Sequence, residues 1–132
     1  MLETTLPKLS PSTLELLYGM GHTQIGRQHY EDALTLFRLL TFHEVGEQSY
    51  WIGLGMAHQG LKNYKNALEA YGKAAPLGQD NPHVHLRAAE CFFALEQKPK
   101  ALQALDCARN ALHFNPDDQL KAQIELLRTI WR

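Results

Sequence analysis

Apolar residues along this chain recur three and four positions apart. They do not alternate with polar ones, and that spacing belongs to helices rather than strands. Seven such stretches, separated by short turns, predict helices over 11–26, 30–42, 47–60, 64–76, 82–95, 98–111 and 116–131. Their starts carry capping chemistry. Ser10-Pro11, Asn81-Pro82 and Asn115-Pro116 each place a short polar side chain ahead of a proline suited to the first helical position. Asp117 and Asp118 then lie in a first turn, where the helix dipole favours carboxylates. Gly46, Gly60 and Gly78 are expected to mark turns.

The pattern also repeats. Tyr30-Glu-Asp-Ala33-Leu-Thr-Leu-Phe37 returns as Tyr64-Lys-Asn-Ala67-Leu-Glu-Ala-Tyr71, and more loosely as Lys98-Pro-Lys-Ala101-Leu-Gln-Ala-Leu105. Ala33, Ala67 and Ala101 stand 34 residues apart. A 34-residue period of paired helices is the signature of tetratricopeptide repeats. The second unit fits best, with Trp51, Leu54, Gly55, Tyr64, Ala67, Tyr71 and Ala74. The expected fold is all-α: three repeats over about 14–47, 48–81 and 82–115, and a capping helix over 116–131. Small residues on facing helices permit close approach, and the aromatic beyond each alanine fills the gap between neighbouring repeats. A lone repeat cannot bury its apolar face, so the units must stack. Leu120, Ile124, Leu127 and Trp131 form one stripe that would close the open end.

In a curved stack the first helix of each repeat lines the concave side. One stripe of that helix, Trp51 included, is taken by packing. A second, at unit positions 2, 5, 9 and 12, is expected to face the groove. It comprises Glu15, Tyr18, His22 and Ile25, then Ser49, Ile52, Met56 and Gln59, then His83, Leu86, Glu90 and Phe93. Tyr18, Ile25, Ile52, Met56, Leu86 and Phe93 are large and apolar, which suits a partner's side chains better than water. The bland alternative is that the chain's own N-terminal arm or a second copy covers them.

Composition narrows the classes. Of 132 residues, 45% are hydrophobic, which argues against disorder. Thirteen basic residues against fourteen acidic ones leave a net charge of −1, with no basic stripe to recommend nucleic acid or a membrane surface. No apolar run reaches the ~20 residues of a membrane span. The stretch from Met1 to Pro11 lacks the basic start and apolar run of a secretory signal. A cytosolic, non-inserting protein is the expectation. Cys91 and Cys107 are too few for a disulfide framework and lack C-x-x-C spacing, so both are read as reduced. The seven histidines include His83 and His85, and His22 and His29, but no carboxylate or thiolate joins either pair at zinc-ligand spacing. No phosphate loop or catalytic constellation emerges. The expectation is a non-enzyme without cofactor or metal.

Four stretches make the match more specific: Leu17-Tyr18, Tyr30-Glu-Asp-Ala33, Leu54-Gly55 and His85-Leu-Arg-Ala88-Ala89-Glu90-Cys91. Over residues 14 to about 112 the chain resembles the class II, or translocator, chaperones of bacterial type III secretion. The resemblance implies a protein that keeps hydrophobic translocators soluble in the bacterial cytosol before export. It implies a concave groove that holds a short extended translocator segment, with proline and leucine side chains in pockets. Tyr18 and Tyr30 match family tyrosines, and Ile25 stands where an aromatic is often found. The peptide-binding set is then Tyr18, His22, Ile25, Tyr30, Ile52, Met56, Gln59, Leu86 and Phe93. Members of that family usually have a longer N-terminal helical arm used in dimer contacts, whereas this chain begins close to its first repeat, a departure that weakens the expectation of a homodimer. Three rivals remain: a chaperone of another secretion component, a scaffold working through its convex face, and a clamp for an acidic heat-shock-protein tail. The clamp needs basic groove residues, and only Arg87 lies close by.

Overall fold

A computed structural model describes residues 8–132, so the expectations for the N-terminal segment fall largely outside it. Seven α-helices and no strand occur among the described residues. They are α1 (Pro11–Gly26), α2 (Tyr30–His43), α3 (Gln48–Gly60), α4 (Tyr64–Ala74), α5 (Pro82–Ala94), α6 (Lys98–Ala111) and α7 (Asp118–Trp131). Successive helices pack in antiparallel order: α1 on α2, α3 on α4, α5 on α6, and α7 on α6. The first helices also touch one another, α1 beside α3 and α3 beside α5, while no comparable contact joins α2 to α4 or α4 to α6. The array therefore closes on the side of α1, α3 and α5 and opens on the other. The inner face is concave, and the first helices line it.

The 34-residue pattern is visible at the level of atoms. Ala33, Ala67 and Ala101 are completely buried, and so are the large side chains four residues on, Phe37, Tyr71 and Leu105. The Phe37 ring is held between Gly21 of α1 and Gly53 of α3, and a Cβ at either glycine would run into it. Gly55 leaves the same room for Tyr71. Phe37 thus reaches from its own repeat to the next first helix, and Tyr71 clusters with Val84 and Cys91 of α5. Burial pushes the Cys91 thiol up to about 12, as expected of a small core residue, whereas Cys107 is exposed.

Helix starts follow the capping pattern at two of three expected places. Ser10 accepts a hydrogen bond from Thr13 N at 3.2 Å, and the Asn81 side chain accepts from His83 N at 2.9 Å. At the third place the start moves. Asp117, not Asn115, caps α7 by accepting from Leu120 N at 3.0 Å, while the Asn115 amide donates to Asp80 O at 3.3 Å. The turns differ from expectation too. Gly46 and Gly78 do lie in turns, but Gly60 is the last residue of α3, pressed under the Tyr30 ring. The residues that take a left-handed backbone between paired helices are Gln28, Lys62 and Glu96, with φ of 62°, 62° and 60°. They also stand one period apart. In each, the residue after it donates back to a carbonyl five positions earlier: His29 to Gln24, Asn63 to His58, Gln97 to Phe92. This is a Schellman closure, which satisfies carbonyls the helix end would otherwise leave free. Helix α4 stops at Ala74, because Pro76 has no N–H with which to extend the ladder.

Candidate functional site

The concave face has three stations. At the α1 end, Tyr18 and His22 meet edge to face at 4.6 Å between ring centroids. Tyr18 also lies 5.6 Å from the Tyr50 ring of α3, and His22 lies 5.5 Å from Phe37. Burial among these rings lowers the His22 pKa below its ordinary value, so the imidazole stays neutral there. Tyr18 remains partly open on top of this aromatic group.

The middle station is a hollow of about 360 Å³ lined by Ile25, Tyr30, Met56, Gln59, Gly60 and Arg87. Residues from three repeats converge here, because the ends of α1 and α3 and the middle of α5 lie side by side. A polar ladder forms its wall. The Tyr71 hydroxyl donates to Gln59 Oε1 at 2.7 Å, Gln59 Nε2 donates to Glu90 Oε1 at 3.0 Å, and Arg87 Nη1 reaches the same oxygen at 3.4 Å. The ladder fixes the Gln59 amide and leaves Arg87 half-exposed beside Met56. Desolvation holds the Tyr71 phenol protonated well above its ordinary range.

At the third station Phe93 is 41% exposed and stacks on Trp131 of α7, with centroids 4.3 Å apart and planes 11° from parallel. The last residues of α7 therefore form part of the groove's far end.

No protein-family model matches the sequence. The chain is 28% identical over 112 residues to low calcium response locus protein H of Yersinia pseudotuberculosis. That match covers 85% of this chain and 67% of the relative, so the chain spans about two thirds of the relative's length. Among solved structures it superposes on SycD, a Yersinia enterocolitica type III secretion chaperone in complex with a peptide of the translocator YopD. There the TM-score is 0.86 and the identity 25%, with coverage of 92% of this chain and 94% of that one. It also superposes on Pseudomonas aeruginosa PcrH in complex with the chaperone-binding region of PopB. That match has a TM-score of 0.87 and 30% identity, and covers 92% of this chain and 99% of PcrH. The chain belongs to the type III secretion translocator chaperones.

On this translocator chaperone, the nine residues picked from the sequence do not all lie free on the groove surface. Ile25, Tyr30, Met56 and Gln59 share the hollow, Tyr18 and His22 share the aromatic station, and Phe93 stands apart with Trp131. Leu86 is a correction. It is only 4% exposed and packs into the core with Ala89, Leu105, Leu112, Leu120 and Trp131. Its unit position, the fifth, faces the next element in the stack rather than the open groove. Tyr18 shows the same tendency toward Tyr50, and Ile52 packs against the cluster that holds Ala67, Tyr71, Val84 and Cys91. At positions nine and twelve, Met56, Ile25 and Gln59 line the hollow, while His22 sits among the rings of the first station. Arg87, the next residue along α5, lines the hollow instead. Tyr50, Arg87 and Trp131 were left out of the sequence-derived set. Trp131 had a sequence signal, the apolar stripe of the last helix, but nothing local places that helix's end against Phe93.

The histidines do not assemble. His85 Nε2 pairs with Asp80 Oδ1 at 2.6 Å, and no group of three potential metal ligands occurs among the described residues. No helix there is long and apolar enough to cross a membrane.

Proposed function

We propose that this chaperone binds an extended, leucine- and proline-bearing segment of a hydrophobic translocator along its concave face, and so keeps that translocator soluble and export-competent in the bacterial cytoplasm. The hollow between α1, α3 and α5 carries the reading. It is open, lined by Ile25, Tyr30 and Met56, and edged by the fixed Gln59 amide and by Arg87. An apolar side chain entering it loses water contact on several sides, and the polar edge offers partners to the backbone of an extended peptide. The partners in the PcrH and SycD structures are the chaperone-binding region of PopB and a peptide of the translocator YopD, which supports the same class of client here. The role asks for binding alone and no catalysis.

Met56 is the probe of choice, because it faces the hollow while Ile52 is half-committed to the core. Removing its side chain should cost ~1–2 kcal/mol of binding, roughly a five- to thirtyfold rise in Kd. Met56→Glu should do more harm, since the client would desolvate a carboxylate. The measurement is titration calorimetry with an N-terminal translocator segment, with thermal melts of each variant. Unchanged affinity in Met56→Glu, with a parental melt, would remove the groove from the account.

A further inference from the structure

A second cleft lies on the opposite face. It has a volume of about 220 Å³ and opens between α2 and α4, with α3 as its floor. Arg38 and Lys73 stand on its two walls, Trp51 and His58 line the floor, and Asn66 and Glu69 complete the rim. Three observations set this cleft apart from ordinary surface. Neither Arg38 nor Lys73 takes part in an ion pair among the described residues. The Trp51 indole is held flat by its N–H bond to Val45 O at 2.8 Å, and the Lys73 ammonium sits 4.9 Å above the ring. His58 is 7% exposed, and its Nδ1 is enclosed without any hydrogen-bond partner. It is the lone buried side-chain polar atom so placed among the described residues. Buried polar atoms are almost always paired, so an unpaired one beneath a cleft floor marks bonding that this ring orientation leaves incomplete.

We propose that this outer cleft is a second binding site, taking a carboxylate side chain from an acidic segment of a partner protein between Arg38 and Lys73, above Trp51 and His58. Charge selects the ligand. Arg38 and Lys73 against Glu69 leave one net positive charge in the cleft, which matches the single charge of one carboxylate. A row of phosphates would bring several charges to a molecule whose own net charge is −1. Size agrees, because the volume admits one acidic side chain. A half-turn of the imidazole about its Cβ–Cγ bond carries Nδ1 to the other ring edge, from which an N–H can donate to a carboxylate oxygen. The site is distinct from the groove, since its residues come from α2, α4 and the outer side of α3.

The test is a titration of the isotope-labelled full chain followed by NMR. The probe is a blocked peptide of alternating glutamate and leucine, and the control replaces every glutamate by glutamine. The expected result is saturable shifts of the Trp51 indole N–H and the His58 ring with the glutamate peptide. Apparent affinity should fall at least tenfold in the double variant Arg38→Gln, Lys73→Gln, while translocator-segment binding to the groove stays at the parental value. If the double variant melts early, Lys73→Gln alone carries the comparison. Equal binding of the glutamine peptide, no loss in either variant, shifts centred on Ile25 and Met56, or a response to oligothymidylate alone would each overturn the proposal. Because the groove is titrated separately, failure here leaves the translocator reading standing, and failure there leaves this one.

Discussion

Phe37 shows what a single residue does in a stacked array. Its ring fills the space between α1 and α3, and that space exists only because Gly21 and Gly53 have no side chains. Removing the ring should cost about 3–5 kcal/mol, the usual range for emptying an aromatic core position. Adding one methyl from the other side, in Gly53→Ala, should cost ~1–3 kcal/mol, because backbone and ring cannot both hold their places. Urea unfolding of the two variants checks both. A parental midpoint for Gly53→Ala would mean that α3 does not press on the Phe37 ring.

Among the elements, the turns inside the repeats carry strain the helices do not. Gln28, Lys62 and Glu96 hold a backbone conformation that costs an L residue with a Cβ roughly 1 kcal/mol. Glycine adopts it freely but loses more chain entropy on folding. The balance favours glycine where the left-handed conformation is enforced by a closure such as His29 N to Gln24 O. Glu96→Gly should therefore raise stability by about 0.5–1 kcal/mol. Gly78, already left-handed at φ 84°, should lose stability as Gly78→Ala. Thermal melts read both, and the pair is informative because the two changes run in opposite directions. A Glu96→Gly variant that melts below the parent would show that its side chain does more than occupy the turn.

For the whole molecule, two histidines couple folding to pH. Burial lowers the pKa of His22. Burial does the same for His58, aided by the nearby Arg38 and opposed by Glu69. Both are neutral in the folded state at a pH where the unfolded chain already binds protons. As pH falls through about 6.5, the unfolded state gains protons that the folded state refuses, and stability drops until the folded pKa values are reached. Tm should therefore decline between about pH 7.5 and pH 5.5, at about 4 °C for each kcal/mol lost in a chain of this size. His22→Gln should flatten the decline without abolishing it, since His58 remains. A Tm independent of pH across that window would place both imidazoles in contact with water.

Much of this architecture was legible from residue spacing alone. The 34-residue recurrence of Ala33, Ala67 and Ala101 locates the helix pairs, their packing stripes and the face that turns inward. It does so because helical period and side-chain size are local properties, readable one helix at a time. Motif resemblance added the family, and the superposition on PcrH agrees with it. What the sequence could not decide was which groove-facing positions stay open. Leu86, Ile52 and Met56 look alike on a helical projection, yet Leu86 is in the core, Ile52 is half-buried and Met56 lines the hollow. The angle between successive repeats makes that choice, and it is the joint outcome of contacts such as Gln59 to Glu90, 31 residues apart. The cap at Asp117, the stacking of Phe93 on Trp131 and the unpaired nitrogen of His58 belong to the same class. Each depends on where a distant helix comes to rest, which no single helix encodes.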